Sequence, residues 1–350
     1  MRRTFEGMKK VKWLLAGAGD IVKSRVAAAL ANAERSEIAA IFAPTVGKAE
    51  SVAEAYHIPR VYHDYRQALA ESGADSVYIA APHHVHVELA KQALDAGLHF
   101  LCEKPLGIDG AECLQLLEHA KKHPRLKTSC SNYRLFTRQF LATKQLIDKG
   151  GIGDLVCGWA HDEEPWYNPG NAPLLRKFGR SPVLGFGFYL MNMAQHLFGM
   201  PESVYAVSAL FNPKGVEPCD IDDLTTILLR FSGNRQFTIL LNQASQAPLR
   251  HSYEFCGTAG RILWPGSPPH FNLPIQHVAH GLSAELPDSV TPAPEGEKPN
   301  WHLPMIRNFV DCVLDGGQPL CSLESAVRTA LITDAVFRSA ESGLPEKVTP

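Results

Sequence analysis

Hydrophobic positions in the first part of the chain fall into short runs that alternate with longer amphipathic stretches. The runs predict strands at 11–16, 38–42, 61–62, 76–80, 99–102 and 127–130. The stretches between them predict helices at 21–32, 48–56, 65–72, 86–96 and 111–122. Strands that alternate with helices in this way predict a parallel, doubly wound sheet with right-handed crossovers.

The pattern changes near residue 135. After a predicted helix at 138–149, longer alternating segments predict a mostly antiparallel sheet, with strands at 155–160, 204–211, 224–231, 236–242, 251–256 and 261–264. The Pro-rich and Gly-rich residues 265–300 are predicted to form a loop, and 301–315 and 323–342 to form helices. We therefore predict an α/β fold with two domains, 1–135 and 136–350, the second of α+β type.

Composition sets bounds on the kind of protein. The 350 residues are enough for two domains with cores of their own, and the net charge of -2 indicates no nucleic-acid or membrane partner. The eight cysteines include no C-x-x-C pair, so we expect reduced thiols and not a disulfide framework or a zinc site. No apolar run approaches the ~20 residues of a membrane span. We expect a cytoplasmic protein.

Gly17-Ala18-Gly19 follows the first predicted strand and opens a helix. The first glycine permits the turn, and the second lets the backbone approach a pyrophosphate at the helix N-terminus. Val22 stands where a third glycine would complete the motif. A purely structural turn is the alternative, but the position after the first strand favours dinucleotide binding. The predicted contacts here are Gly17, Gly19, Asp20 and Ile21.

The end of the second predicted strand bears on the choice of dinucleotide. An acidic residue there would bind the adenosine ribose of NAD, and Ala43 cannot. Thr45 and Lys48 could receive the 2′-phosphate of NADP, although Lys48 could equally be a solvated helix residue. The sequence therefore leaves the choice between NAD and NADP open and slightly favours NADP.

Glu103-Lys104-Pro105 closes the apolar strand 99–102. A lysine there lies at the carboxyl edge of a parallel sheet, where such sheets bind ligands. Desolvation lowers the pKa of a lysine and lets it exchange protons near neutrality. The alternative is a solvated lysine at the start of a loop. The Lys-Pro bond is a candidate for the cis form.

Three histidines follow the fourth predicted strand, at His83, His84 and His86. A metal site is one interpretation, but no carboxylate or cysteine is placed to complete it. We predict instead that this segment lines the cofactor crevice, through Ala81, Pro82, His83 and His86, together with Glu103 and Lys104. His277 and His280 support no metal site either.

Several segments together resemble the Gfo/Idh/MocA oxidoreductase family: Gly17-Ala18-Gly19, Ala81 to His86, Leu101 to Leu106, Asn132-Tyr133-Arg134, and Ile147 to Gly153. The resemblance implies an N-terminal Rossmann domain and a C-terminal domain with an open-faced sheet. It also implies a nicotinamide cofactor and substrates that are sugars, cyclic polyols or their derivatives. The open face commonly forms the oligomer in that family, which implies a homodimer or homotetramer here.

One helix departs from the family pattern. Many members carry an Asp and a His four residues apart on it, and here those positions are Gly185 and Tyr189, with Asn192 replacing a second Asp. The chain thus looks like the branch that contains glucose-fructose oxidoreductase and dihydrodiol dehydrogenase, where a tyrosine takes the histidine position. A nearby Lys104 ammonium would favour the phenolate of Tyr189. The alternative is an aromatic ring packed under the sheet.

We predict Lys104 and Tyr189 as catalytic residues. Both are also predicted to contact the substrate. The full set of predicted substrate contacts is Lys104, Arg134, Trp166, Arg176, Tyr189 and Asn192. Asp162 to Glu164 are expected in a solvated loop after the strand 155–160.

The predicted function is hydride transfer between a nicotinamide and a carbinol carbon of a sugar-like substrate. Two alternatives stay open: a non-catalytic dinucleotide sensor of the same fold, and an enzyme with tightly bound NAD and no net redox change.

Overall fold

The computed structural model describes residues 9–164, 176–178, 181–212, 215, 217–245, 250–264, 275–279, 282–285 and 300–349. The strands of the first part are β1 (Val11–Ala16), β2 (Ser36–Phe42), β3 (Val61–Tyr62), β4 (Ser76–Ile79), β5 (His99–Cys102) and β6 (Thr128–Cys130). Those of the second part are β7 (Leu155–Glu163), β8 (Ser203–Ala209), β9 (Leu224–Arg230), β10 (Gln236–Asn242), β11 (Arg250–Gly257), β12 (Gly260–Trp264), β13 (Gln276–Ala279), β14 (Leu282–Glu285) and β15 (Glu346–Lys347).

The α-helices are α1 (Ala27–Asn32), α2 (Lys48–Tyr56), α3 (Tyr65–Glu71), α4 (His86–Asp95), α5 (Gly110–Ala120), α6 (Arg138–Asp148), α7 (Phe188–Phe198), α8 (His302–Asp315) and α9 (Leu323–Ser342). Single π-helical turns precede α1 at Val22–Val26 and α7 at Val183–Gly187. Among the described residues, none of these helices combines the length and apolar character needed to cross a membrane.

Contacts divide the chain into two compact units. The first contains residues 1–107, 111–133 and 298–327, and the second contains 108–110, 134–297 and 328–350. The predicted domains, 1–135 and 136–350, placed α8 in the second domain, whereas these contacts place it in the first unit. The reason is packing: the ring of Phe309 on α8 lies 5.4 Å from that of Trp13 on β1, which is fully buried.

The first unit holds a six-stranded parallel sheet in the order β3-β2-β1-β4-β5-β6. This is the order of a dinucleotide-binding, doubly wound sheet. Its central strands are apolar on both faces, as the continuous burial of Leu14, Leu15 and Ala16 shows, because helices cover both sides. The predicted Rossmann fold is confirmed.

The second unit holds a nine-stranded sheet in the order β14-β13-β12-β11-β7-β10-β9-β8-β15. All neighbouring pairs are antiparallel except β7 with β10. The predicted mostly antiparallel sheet is confirmed. The loop predicted at 265–300 is wrong in part, because β13 and β14 extend the sheet there by pairing outward from β12.

Candidate active site

The two glycines in the turn after β1 have different surroundings. Gly17 has φ +133°, and a Cβ added to it would lie 2.1 Å from the carbonyl oxygen of Ala80. Only glycine therefore lets the end of β1 lie this close to the end of β4. At Gly19 an added Cβ would meet no atom of the described residues within 4 Å. The backbone there is open to a ligand, which fits the predicted pyrophosphate contact.

The helix after this turn begins with exposed residues. Asp20 and Ile21 are both exposed, and Ile21 is followed by the π-helical turn that leads into α1. π-turns inside helices occur frequently at functional sites. The predicted cofactor contacts of Asp20 and Ile21 stay predictions.

The predicted 2′-phosphate residues lie on an exposed segment between β2 and α2. Thr45 and Lys48 are both exposed, while Ala43 is buried at the end of β2. Gly47 serves as the N-cap of α2 with φ +88°. The N-terminus of this helix and the lysine are both suited to an anion, and their predicted roles stay predictions.

An acidic residue reaches the same segment from α2, which the sequence analysis missed. Glu50 Oε2 accepts a hydrogen bond of 2.6 Å from the amide of Gly47. Its other oxygen lies 3.0 Å from Nε2 of His63, whose Nδ1 lies 2.8 Å from the carbonyl oxygen of Ala43. Hydrogen bonds from the amides of Glu50 itself and of Gly47, and the neighbouring His63, lower the pKa of the Glu50 carboxyl. A carboxylate therefore stands near the C-terminal end of β2, although the strand residues at that end supply none.

The histidines after β4 have different surroundings. His86 is fully buried, with Nδ1 2.8 Å from the carbonyl oxygen of Pro105 and Nε2 2.9 Å from that of Ala81. Burial lowers the pKa of His86, against the effect of the two carbonyls. His86 thus ties the segment after β4 to the segment after β5. His83 is half-buried and Pro82 exposed, and the cofactor contacts predicted for Ala81, Pro82, His83 and His86 stay predictions.

Glu103 is a buried anchor at the end of β5. Its Oε1 accepts a 2.7 Å hydrogen bond from the Tyr78 hydroxyl and lies 3.2 Å from Nε2 of His302. Burial by itself would raise the pKa of Glu103, but His302 and Tyr78, with the charge of Lys104, lower it to about 2. Tyr78 and His302 are partners that the sequence analysis did not find. The predicted cofactor contact of Glu103 stays a prediction.

Lys104 follows Glu103 and is half-buried. The Lys104–Pro105 peptide bond is cis. Since β5 neighbours β4, and β4 neighbours β1, the lysine stands at the same carboxyl edge of the sheet as the Gly17 turn. This edge is where open α/β sheets bind their ligands.

A buried ion cluster lies in the second unit, centred on Arg134. This residue is 1% exposed, and its Nη1 donates to Oδ2 of Asp162 at 2.7 Å and to the hydroxyl of Tyr253 at 2.8 Å. Its Cζ lies 4.8 Å from the ring centroid of Tyr189, as in a cation–π contact. The predicted catalytic tyrosine and the predicted substrate-binding arginine are therefore in contact.

His251 completes this cluster. Its Nδ1 lies 3.2 Å from Oδ2 of Asp162, and its Nε2 lies 3.3 Å from Oε1 of Glu164. Burial would lower the pKa of His251, but the two carboxylates raise it to about 9. Burial would likewise raise the pKa of Asp162, and Arg134 together with His251 lowers it. At neutral pH the cluster therefore pairs two cations with two anions.

The solvated loop predicted for Asp162 to Glu164 is wrong for Asp162 and Glu163. β7 continues to Glu163, and Asp162 is 2% exposed. The strand extends this far because it is paired on both sides, with β10 and with β11. In the β11 register Asp162 stands opposite His251.

Tyr189 and Gly185 lie one turn apart, where the π-helical turn runs into α7. Tyr189 is buried, at 4% exposure. At Gly185, where the family pattern has an Asp, an added Cβ would meet no described atom within 4 Å. Asn192 is fully buried, and its amide donates to the Thr329 hydroxyl at 2.9 Å. Its predicted substrate contact stays a prediction, and the structure gives the amide a partner on α9.

Arg176 makes several contacts with other residues of the second unit. Its Nη1 donates to Glu341 at 3.1 Å, its amide donates to Asp220 at 2.7 Å, and its guanidinium lies over the ring of Phe337. Its predicted substrate contact stays a prediction. Trp166, the remaining predicted substrate residue, lies outside the described residues.

Comparison with known proteins identifies the family. Residues 11–129 match the family model described as "Oxidoreductase family, NAD-binding Rossmann fold", and residues 140–263 match the C-terminal domain model of the same GFO/IDH/MocA family. The chain therefore belongs to the Gfo/Idh/MocA family of oxidoreductases, and the predicted NAD(P)-dependent class of enzyme is confirmed.

Individual proteins that resemble the chain also carry oxidoreductase or dehydrogenase names. The chain is 29% identical to an uncharacterized oxidoreductase, ORF334, of Rhizobium meliloti, over 97% of this chain and 100% of that protein. It is 28% identical to the trans-1,2-dihydrobenzene-1,2-diol dehydrogenase of Xenopus laevis, over 73% of this chain and 75% of that one. A solved structure of levoglucosan dehydrogenase in complex with NADH and levoglucosan shares the fold, with a TM-score of 0.87, 21% identity, and coverage of 98% and 100%.

Proposed function

We propose that this enzyme transfers a hydride between a nicotinamide dinucleotide and a carbinol carbon of a sugar, a cyclic polyol or a derivative. One observation carries the proposal: Gly17, with its open neighbour Gly19, and Lys104 stand at the same carboxyl edge of the Rossmann sheet. The substrate class is supported by the relatives, of which one is named for a dihydrodiol and one was solved with levoglucosan.

The residues at this edge fit a dinucleotide, because the backbone at Gly19 is open where a pyrophosphate would approach. Gly17 and Gly19 would hold the pyrophosphate with the start of the following helix, and the segment after β4 would line the crevice. The nicotinamide, when bound, supplies the hydride acceptor or donor. The chain's own side chains supply orientation, exclusion of water and proton transfer.

Lys104 is the proposed proton acceptor for the substrate hydroxyl. The support for this role is its position, since Lys104 is half-buried and follows β5 at the carboxyl edge of the sheet, where open α/β sheets bind their ligands. Tyr189 is the second proposed proton-handling group. The Tyr189 ring is buried and lies against the guanidinium of Arg134, and this contact helps to fix the orientation of the ring.

The cofactor preference we propose is NADP, from the exposed Thr45 and Lys48 beside the N-terminus of α2. Glu50 is an opposing influence, since its carboxylate occupies the amide of Gly47 and would repel a 2′-phosphate. His63 offsets part of this charge when it is protonated.

We further propose a homodimer or homotetramer formed through the outward face of the second sheet. Trp159, Tyr205 and Val207 are exposed there at 37%, 39% and 56%, while Val204 and Ala206 on the other face of β8 are buried. Such an apolar sheet face calls for a covering partner. Light scattering of the purified chain would test this, with Val207→Lys as the variant expected to dissociate the oligomer. A cytoplasmic location is also proposed, and it is supported by eight cysteines that include no C-x-x-C pair.

The proposed function is tested by incubating the purified chain with NAD⁺ or NADP⁺ and a panel of sugars, inositols and dihydrodiols, and by following absorbance of the reduced cofactor. Substrate-dependent reduction supports the proposal. Dinucleotide binding with no reduction by any substrate would favour the non-catalytic sensor, which the missing carboxylate at Gly185 makes a real alternative. Stoichiometric cofactor retained on purification, with substrate converted and no net reduction, would indicate the tightly bound, non-redox alternative.

A further inference from the structure

Two histidines and an aspartate meet at the ends of two helices of the first unit. His119 Nε2 lies 2.7 Å from Oδ1 of Asp95, and His123 Nε2 lies 3.5 Å from the same oxygen. The three ligand atoms all lie within 4.8 Å of one another. This cluster, which we call the Asp95–His119–His123 cluster, shares no residue with the predicted catalytic or cofactor-binding set.

The donor atoms of the cluster are those that first-row divalent metals prefer. Zinc binds imidazole nitrogen and carboxylate oxygen at about 2.0–2.2 Å, so two ligands of a tetrahedral site stand roughly 3.3 Å apart. The two nitrogen–oxygen distances here, 2.7 and 3.5 Å, bracket that value. We propose that the cluster binds one divalent transition-metal ion of the Zn²⁺, Co²⁺ or Ni²⁺ type, with water completing the coordination.

The local structure holds the ligands in place without a metal. His119 lies in the last turn of α5 and His123 lies three residues beyond the end of this helix, and the centroids of their rings are 5.5 Å apart. Their side chains are only 20% and 26% exposed, which limits the rotamers that a metal would have to fix. Asp95 is 60% exposed, so that water and an incoming ion can reach the carboxylate.

The position of the cluster suits a cation. Asp95 is the last residue of α4, His119 lies in the last turn of α5, and His123 follows the end of α5. Helix C-termini carry partial negative charge, and two of them meet here. A cation at this point is stabilised by both helix ends as well as by the carboxylate.

The position also indicates what the metal would do. α4 and α5 end just before β5 and β6 begin, so the cluster lies at the edge of the sheet where these strands start. Gly17 and Lys104 follow the ends of β1 and β5, at the opposite edge. The metal would therefore clamp α4 to α5 and stabilise the first unit, and it would take no part in hydride transfer.

The test uses the full-length protein, stripped with EDTA and dialysed. Isothermal titration with Zn²⁺, and absorption spectroscopy with Co²⁺, measure affinity and ligand field. The variants His119→Ala and Asp95→Asn remove one ligand each. The matched control is His63→Ala, because His63 is an exposed histidine of the same unit that also contacts a carboxylate, that of Glu50. Among the described residues it belongs to no group of three possible metal ligands.

The expected result is a site of one metal per chain whose affinity falls at least about tenfold in His119→Ala and in Asp95→Asn and is unchanged in His63→Ala. Losing even an outer-shell partner costs that much in known sites. Zn²⁺ should raise the melting temperature of the wild type and not that of Asp95→Asn, an exposed isosteric change that preserves folding. Affinity that is equal in wild type and both ligand variants, or no binding at micromolar metal, would overturn the proposal.

Discussion

The Arg134 guanidinium lies over the ring of Tyr189, with its Cζ 4.8 Å from the ring centroid. The same guanidinium is fixed by Asp162, which is in turn paired with His251. The position of the proposed catalytic tyrosine is thereby linked to a buried ion cluster whose other members the substrate need not touch. The energetics of that cluster are accessible to direct measurement.

Asp162→Asn should strongly destabilise the protein. It removes one negative charge and leaves Arg134 and His251 buried with excess positive charge, at a cost of about 3–5 kcal/mol in the free energy of unfolding. Urea unfolding measures this. The matched control is Asp148→Asn, which breaks the exposed ion pair with Lys144 and should cost about 0.5 kcal/mol or less. Equal losses in the two variants would show that the buried cluster contributes no more than a surface pair.

The cluster should also make stability depend on pH. The pKa of His251 rises on folding from 6.5 to about 9, so the stabilisation is fully present below pH 6.5 and is lost as the pH rises through 9. The loss should amount to a few kcal/mol, since one pKa unit corresponds to about 1.4 kcal/mol. His251→Gln should abolish this part of the slope, and His84→Gln, at an exposed histidine, should retain it. A slope that is unchanged in His251→Gln would refute the assignment.

The two glycines after β1 should respond differently to alanine. Gly17→Ala places a Cβ against the backbone of Ala80 at a positive φ, so it should cost about 1–3 kcal/mol or more in the free energy of unfolding. Gly19→Ala meets no described atom, so its stability should stay at the wild-type value while its dinucleotide affinity falls. Thermal unfolding and fluorescence titration with NADPH separate the two effects. Unimpaired dinucleotide binding in Gly19→Ala would remove Gly19 from the proposed site.

Lys48→Ala should weaken the binding of NADP⁺ about tenfold and leave the affinity for NAD⁺ unchanged. The reason is the loss of one charge-assisted contact to the 2′-phosphate, worth about 1.5 kcal/mol. Titration of both dinucleotides measures the ratio. Lys149→Ala, at an exposed lysine that ends α6, is the control. Parallel changes in both dinucleotides would show that Lys48 does not read the 2′-position.

Lys104→Met should abolish turnover while dinucleotide binding remains, because a thioether cannot accept the substrate proton. Tyr189→Phe keeps the ring under Arg134 and removes only the hydroxyl, so kcat should fall by roughly 10²–10⁴ with the fold intact. Steady-state kinetics with a substrate from the panel provides the measurement. Wild-type turnover in Lys104→Met would eliminate the proposed base.

Much of the fold could be predicted from the sequence, because its signals are local. The strand β1, the glycine turn and the strand β5 before Lys104 each follow from a short apolar run and its boundary residues. The end of β7 could not be predicted in this way. The acidic residues after Ala160 are typical of a solvated loop. The strand extends to Glu163 only because β7 pairs with a neighbouring strand on each side.

The residues of the candidate site also differ in whether a local sequence signal predicts them. Lys104 and Gly17 were found because each lies at the end of its own strand. The pairing of Asp162 with His251 depends on the register of β7 against β11, and that of Glu50 with His63 on the path of the chain after β3. The Asp95–His119–His123 cluster could not be predicted either, because it too depends on contacts between residues that are distant in sequence. No histidine in that cluster has an acidic ligand near it in sequence, since Asp95 precedes His119 by 24 residues.

The return of α8 to the first unit has a consequence for any attempt to divide the polypeptide. Residues 298–327 complete a unit that starts at the N-terminus, after the chain has passed through most of the second unit. A fragment that ends at residue 135 would lack Phe309 and would leave the indole of Trp13 open to water on that side. Limited proteolysis at one bond therefore cannot release two separately folding halves, and reassembly of the first unit from peptides would require the segment that contains α8.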